Sequence, residues 1–432
     1  MPPNRIFNFM IKKIIIVLLL FSFQIYSTSK NEIKTRIEDV LNQLPASCNP
    51  AVLVYNPLTK DTIFSLNKTL SVIPASNTKL FTTVVALSVM GSDYQLSTKL
   101  LTNDKNFKDG IINGNLYIKG YGNSLFTTKD LIELVDKIKS MGIKRITGNI
   151  IGDDYYFDEL YTRKDWINDE ETNVSLPPIS ALVLDRNRTF ETKRIKFRKR
   201  RKVFYREVTV AKNISNPPLF IANVLRAKLI SAGIRVDKAA IKGLTPNDAV
   251  TLADSYILLK DLIQTINKHS DNFLAECLFK TIGAVATGNQ GNSFYSTQTI
   301  IKFLKANGIY TNGTSIVDGS GLSRYDLVTV SAIVGLLEKT YFDMGHFKDF
   351  YNSLSVAGID GTLRHRMMGT AAENNFHGKT GTLNGVSSLS GYVSTKKGTD
   401  LIVSIIFDFQ SHGANYYRGI ENKIVEILSD WE

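Results

Sequence analysis

Cysteine is nearly absent. Cys48 and Cys277 are the only two in 432 residues, so a disulfide-stapled fold is excluded. Cys277 lies among Phe273, Leu274 and Leu278 on an expected helix and reads as a small buried hydrophobe. The two cysteines are therefore expected to stay unpaired. Histidine is scarce as well. The five (His269, His346, His365, His377, His412) form no His-Glu-x-x-His pattern, which excludes that class of zinc peptidase. The chain also has no Gly-x-Ser-x-Gly elbow and no Gly-x-x-x-x-Gly-Lys phosphate loop. No metal and no cofactor is called for.

Long apolar runs are missing after the first few dozen residues. Ile14 to Phe23 is the one such run. It is too short to span a bilayer and follows Arg5, Lys12 and Lys13. Residues 1–29 thus read as an export signal, with Ser27 and Ser29 offering a cleavage site. The mature chain is expected outside the cytoplasm with no transmembrane anchor.

Acidic residues are absent from one stretch. Lys193 to Arg206 carries nine cations and no carboxylate. With the three cations of the leader, that run accounts for the whole net charge of +12. The rest of the chain is balanced. Ile195, Phe197, Val203 and Tyr205 interleave the charges as in a solvated hairpin. An exported protein is expected to have no nucleic-acid partner; a polyanionic wall polymer or lipid head group suits the run chemically.

Among what is present, Ser76-Asn77-Thr78-Lys79 stands at the head of an apolar helix, Leu80 to Met90. Residues three apart share a helix face, so the Ser76 hydroxyl and the Lys79 amine can meet. A serine beside an amine is an activatable nucleophile. The spacing alone is weak, because Ser27–Lys30 and Ser394–Lys397 repeat it. Two further motifs follow in order, Ser270-Asp271-Asn272 and Lys379-Thr380-Gly381-Thr382. Each has an ordinary structural reading, as a helix N-cap and as a strand before a turn. The ordered set of three is what carries chemical meaning.

The length requires two or three domains. A helix over Asn31–Leu44, strands at Ala51–Tyr55 and Thr62–Leu66, and the Ser76 helix come first. From residue 94 to about 250 the texture changes to short strands alternating with helices, an inserted α/β unit with a sub-insert at 187–245. The first texture returns near Thr251, with a helix from Ile257 to Lys268. Strands at 378–382, 387–394 and 401–409 and a last helix from Tyr416 to Leu428 end the chain. Residues 30–93 and 251–432 are expected to form one α+β domain, an antiparallel sheet flanked by helices.

With these motifs the chain resembles the penicillin-recognising serine enzymes. It is most similar in pattern to the D-alanyl-D-alanine carboxypeptidase/endopeptidase family of the penicillin-binding protein 4 type (peptidase family S13). The long interval from Lys79 to Ser270, Asp318-Gly319-Ser320-Gly321-Leu322-Ser323 and Gly358-Ile359-Asp360-Gly361-Thr362-Leu363 carry the narrower resemblance. It implies a β-lactamase/transpeptidase-like fold in the bacterial cell envelope. Peptidoglycan stem peptides and β-lactam antibiotics would be the partners.

The resemblance makes Ser76 the nucleophile, Lys79 its base, and Ser270 the proton relay to the leaving amine. Asn272 would bind the substrate carbonyl or hold Lys79. The Lys379–Thr382 strand would carry the substrate, with Lys379, Thr380 and Thr382 suited to a terminal carboxylate. The backbone N–H groups of Ser76 and Thr382 would form the oxyanion hole. Gly381 is expected to admit the substrate backbone, and Lys379 to help hold Lys79 neutral. Glu276 is expected to be a structural hydrogen-bond partner. A β-lactamase and a non-catalytic wall-binding protein are the alternatives.

Overall fold

Strand Asp400–Phe409 organises the larger sheet. Every residue from Leu401 to Phe407 is buried, so both of its faces need cover. Ile402 and Ile406 pack in one core with Leu80, Phe81, Val84 and Val85 of helix Thr78–Met90. Leu401, Val403, Ile405 and Phe407 pack in another with Ile420, Ile424 and Val425 of helix Ala414–Ser429. The result is a sheet with helices on both faces, in a computed structural model that describes residues 30–166, 176–199 and 202–432. The leader expected at 1–29 lies outside the described residues.

The sheet has six antiparallel strands in the order Ser355–Val356, His377–Leu383, Val386–Ser394, Asp400–Phe409, Cys48–Asn56 and Asp61–Leu66. The two-residue strand Ser355–Val356 pairs only with His377 and Gly378. From Lys379 onward, strand His377–Leu383 is therefore an open edge. Helix Thr78–Met90 is buried on all sides through Leu87, the pattern of a central rather than a surface helix.

A second sheet has the order Ala240–Lys242, Ile150–Asp153, Leu116–Tyr121, Gln95–Thr102 and Val250–Leu258. Its last strand corrects one expectation. Ile257 and Leu258 do not open a helix; they pair with Leu96 and Gln95, and the helix starts at Leu259. Helix Pro217–Ser231 buries Ile221, Leu225 and Leu229 with Ile118 and Ile150 of this sheet. Of residues 187–245, only the hairpin Arg188–Lys199/Lys202–Asn213 forms a sheet of its own. There Phe197 stacks on Phe204 at 5.5 Å, and Arg194 lies 4.5 Å over the Tyr205 ring. Cys48 and Cys277 are buried and unpaired.

Candidate active site

Ser76 lies in a single 3₁₀ turn, Ala75–Asn77, just before helix Thr78–Met90. Ala75 takes a left-handed φ of 49°, a conformation that costs a non-glycine residue about 1 kcal/mol or more. The turn is held from two sides. A Cβ on Gly321 would lie 1.9 Å from the Ala75 carbonyl oxygen, so only glycine fits there. On the other side the Ser388 hydroxyl donates to the Pro74 carbonyl at 2.8 Å and accepts from the Asn77 amide.

Gly381 belongs to the same support. It pairs with Ser388, and a Cβ on it would come 2.2 Å from the Ser388 hydroxyl oxygen and 2.9 Å from both Pro74 O and Ser76 N. Gly381 also lines the cavity beside Ser76. On this strand the odd positions 379, 381 and 383 face inward, and Gly381 clears space for the turn that holds Ser76.

Lys79 is completely buried, and its three ammonium donors are all used. They go to Ser76 Oγ at 2.8 Å, Asn272 Oδ1 at 2.6 Å and the Ser320 carbonyl at 2.6 Å. Two of these partners are acceptors only. When Lys79 loses a proton, its remaining two N–H groups stay with Asn272 Oδ1 and Ser320 O, and the lone pair faces the Ser76 hydroxyl. Burial pulls Lys79 down to about 8, against the opposing pull of Asp318, Glu276, Asp271 and Asp326. Burial is the leading cause of this drop. Lys379 is itself held well below an ordinary lysine, by its own burial and then by Lys79.

Ser270 caps helix Leu259–His269 in a left-handed conformation (φ 54°, ψ 41°), and Asp271 then caps the next helix, Asn272–Thr287. The N-cap reading and the site reading of this motif are thus both geometrically satisfied. Lys379 Nζ donates to Ser270 Oγ at 2.9 Å and to the Thr380 carbonyl at 2.6 Å. Ser76, Ser270, Asn272, Thr380, Gly381 and Thr382 line one cavity of about 710 Å³. Lys79 and Lys379 lie behind its wall.

Three supports have roles that the sequence motifs did not assign. The first is the Ser320 carbonyl, which the Asp318–Ser323 loop aims at Lys79. Asp318 accepts from the backbone N–H of Ser320, Gly321 and Ser323 at 3.1, 2.7 and 2.9 Å. Glu276, as expected, is a structural partner: it accepts from Gly319 N and Ser320 N at 3.0 and 2.8 Å. Burial and Asp318 push its carboxyl up. The second is Arg186, whose guanidinium forks onto Asp271 at 2.7 and 2.9 Å and lies 5.1 Å over the Phe273 ring. It stands in the middle of three left-handed residues, Asp185, Arg186 and Asn187. The third is Arg418, which donates to Thr382 Oγ1 at 2.9 Å. A Ser-x-x-Lys nucleophile, a second serine backed by a second lysine, and an open strand edge make an arrangement suited to acyl transfer.

The profile of the D-Ala-D-Ala carboxypeptidase 3 (S13) family matches residues 33–198 and 202–431. Over 416 residues the chain is 28% identical to the D-alanyl-D-alanine carboxypeptidase of Actinomadura sp. strain R39, covering 82% of this chain and 77% of that one. Over 418 residues it is 24% identical to the D-alanyl-D-alanine carboxypeptidase DacB of Haemophilus influenzae, covering 84% and 86%. In structure it is similar to the crystal structure of penicillin binding protein 4 (dacB) from Haemophilus influenzae. The TM-score is 0.78 at 22% identity, over 90% of this chain and 99% of that one. The structural likeness speaks for the fold.

Proposed function

The chain belongs to the S13 family of D-Ala-D-Ala carboxypeptidases, serine hydrolases, and from that premise we propose how its site works. Ser76 Oγ attacks the carbonyl carbon of the penultimate D-alanine while neutral Lys79 takes the hydroxyl proton. The oxyanion is received by the backbone N–H groups of Ser76 and Thr382. One such donor is typically worth about 10²–10³ in rate. The C–N bond then breaks, Ser270 relays to the departing amine the proton that Lys79 took from Ser76, and D-alanine leaves with Lys79 and Ser270 both neutral again. Water hydrolyses the Ser76 ester. Asn272 and the Ser320 carbonyl hold Lys79 in place throughout.

The observation that carries this reading is the hydrogen-bond set of Lys79. Its two fixed acceptors leave the lone pair no direction but Ser76. Substrates of this reading are peptidoglycan stem peptides, and β-lactams acylate the same serine. The setting is the bacterial cell envelope. Among the described residues no helix is long and apolar enough to cross a membrane.

The organisation that goes with this is a catalytic unit of residues 30–93 and 259–432 around an insert that ends with strand Val250–Leu258. The insert is more than an appendage in this reading, because its Arg186 braces the Ser270–Asn272 segment.

The test is D-alanine release from an acyl peptide ending in D-Ala-D-Ala. Wild-type protein is expected to release it, and Ser76→Ala to release none. Normal release by Ser76→Ala would overturn the assignment.

A further inference from the structure

The hairpin Arg188–Lys199/Lys202–Asn213 contributes no side chain to the hydrophobic cores among the described residues. Its two strands pair only with each other, and both faces are exposed from Phe190 to Arg198 and from Val203 to Glu207. A lone two-stranded hairpin is marginal in water and gains from a surface to lie against. Its root is fixed. Arg188 donates to Asn213 Oδ1 at 3.0 Å, and Asn213 donates to the Leu176 carbonyl at 3.2 Å.

Directly opposite residues of an antiparallel pair share a face. Phe197 lies opposite Phe204, Ile195 opposite Arg206 and Lys193 opposite Val208. One face thus presents Ile195 and the stacked Phe197–Phe204 pair beside Lys193 and Arg206. The other presents Arg194, Lys196 and Arg198, with Tyr205 under the Arg194 guanidinium. Glu191 lies 3.8 Å from Lys193 and 3.9 Å from Lys212, near the root. From Lys193 to Arg206 the sequence has no acid.

Charge alone would suit a soluble polyanion, or would keep the hairpin's open edges from aggregating. Neither use needs apolar side chains in water, yet Tyr205 is 55% exposed, Ile195 46% and Phe197 44%. A bilayer interface takes both kinds of side chain. Rings and aliphatic groups seat at the boundary of headgroups and acyl chains, and Lys and Arg meet the lipid phosphates. We infer that the distal hairpin docks on the surface of an anionic phospholipid bilayer. Ile195, Phe197 and Phe204 face the lipid, with Lys193 and Arg206 at its phosphates. Arg194, Lys196 and Arg198, one sheet thickness away, lie within a Debye length of that surface and add to the attraction. The catalytic unit is thereby held at a membrane without a transmembrane helix. This docking is independent of the chemistry at Ser76.

The experiment is co-sedimentation of the exported protein with unilamellar vesicles. The vesicles are pure phosphatidylcholine, or equal parts phosphatidylcholine and phosphatidylglycerol, and soluble poly(glycerol phosphate) serves as competitor. Wild type is compared with Lys196→Gln plus Arg198→Gln and with Phe197→Ser plus Phe204→Ser. Thermal unfolding checks that each variant is folded. Wild type is expected on the anionic vesicles, not on the neutral ones, and to come off as salt rises. Losing two cations should lower partition by roughly 30-fold. Losing two rings should lower it by about tenfold or more. A wild type that stays in solution with both vesicles overturns the inference. So does unchanged partition of either folded variant. If the ring variant is the unchanged one and the soluble polymer displaces the vesicles, the hairpin is a polyanion site and the membrane reading fails.

Discussion

Protonating Lys79 should switch the enzyme off, and the pH at which this happens follows from its burial. An ordinary lysine with a pKa of 10.5 is neutral at pH 7 in roughly one molecule in 3,000. At about 8, the value set by burial, the neutral fraction is roughly one in eleven. Burial therefore supplies about 300-fold more of the free base. The assay is the second-order rate constant for acylation by benzylpenicillin, measured from about pH 5.5 to pH 10. The logarithm of the rate should rise with unit slope up to about pH 8 and then level. Glu276→Gln keeps an acceptor for the Gly319 and Ser320 N–H groups but removes a carboxylate that raises Lys79. It should shift the midpoint to lower pH. A flat profile, or a midpoint near that of a free lysine, would refute the assignment of Lys79 as base.

Stability should carry the same signature. Lys79 is depressed in the folded state, so below about pH 8 both states hold the proton and the cost of burying it, about 3 kcal/mol, is fully present. Between about 8 and 10.5 the unfolded chain binds more protons, and stability rises with pH. Urea titrations should show wild type gaining on Lys79→Met by about that amount across this window. Gly381→Ala should destabilise by roughly 1–3 kcal/mol, because its Cβ collides with Ser388 and the Ser76 turn, and should slow acylation by about 10². Differential scanning calorimetry and adduct kinetics measure the two effects; a folded, fully active variant would contradict the packing argument. Arg186→Ala frees Asp271 and should lower kcat by roughly tenfold with a smaller change in KM, while Arg186→Lys recovers part of the loss. Equal loss in the two variants, or none in either, would show that the Arg186 brace is idle.

The motif residues could be read from the sequence because their chemistry lives in side chains at fixed short spacings. Ser76 and Lys79 are one helical turn apart, and Lys379 to Thr382 form one strand. What supports them could not be read that way. The acceptor that orients Lys79 is a backbone carbonyl, at Ser320, and every residue has one. Arg186 and Arg418 reach the site from 85 and 36 residues away from their partners Asp271 and Thr382. Sequence spacing carries no signal for such contacts. The role of Gly381 depends on which way the strand faces, and that is fixed only when Gly381 pairs with Ser388. Tyr256-Ile257-Leu258 suits a helix or a strand equally well as an apolar run. Pairing with Gln95–Ser97 decided for the strand. The larger sheet was legible because its central strand is a short, largely apolar run rich in β-branched residues, as a strand buried on both faces is.

The most direct test is intact mass after brief exposure to benzylpenicillin, followed over time on wild type and Ser76→Ala. The account predicts a single penicillin adduct on wild type, absent from Ser76→Ala and slow to decay. An equal adduct on Ser76→Ala would contradict it, as would destruction of the drug with no lasting adduct, the behaviour of a β-lactamase. Absence of both adduct and drug loss would contradict the acyl-enzyme itself and leave a protein that only binds.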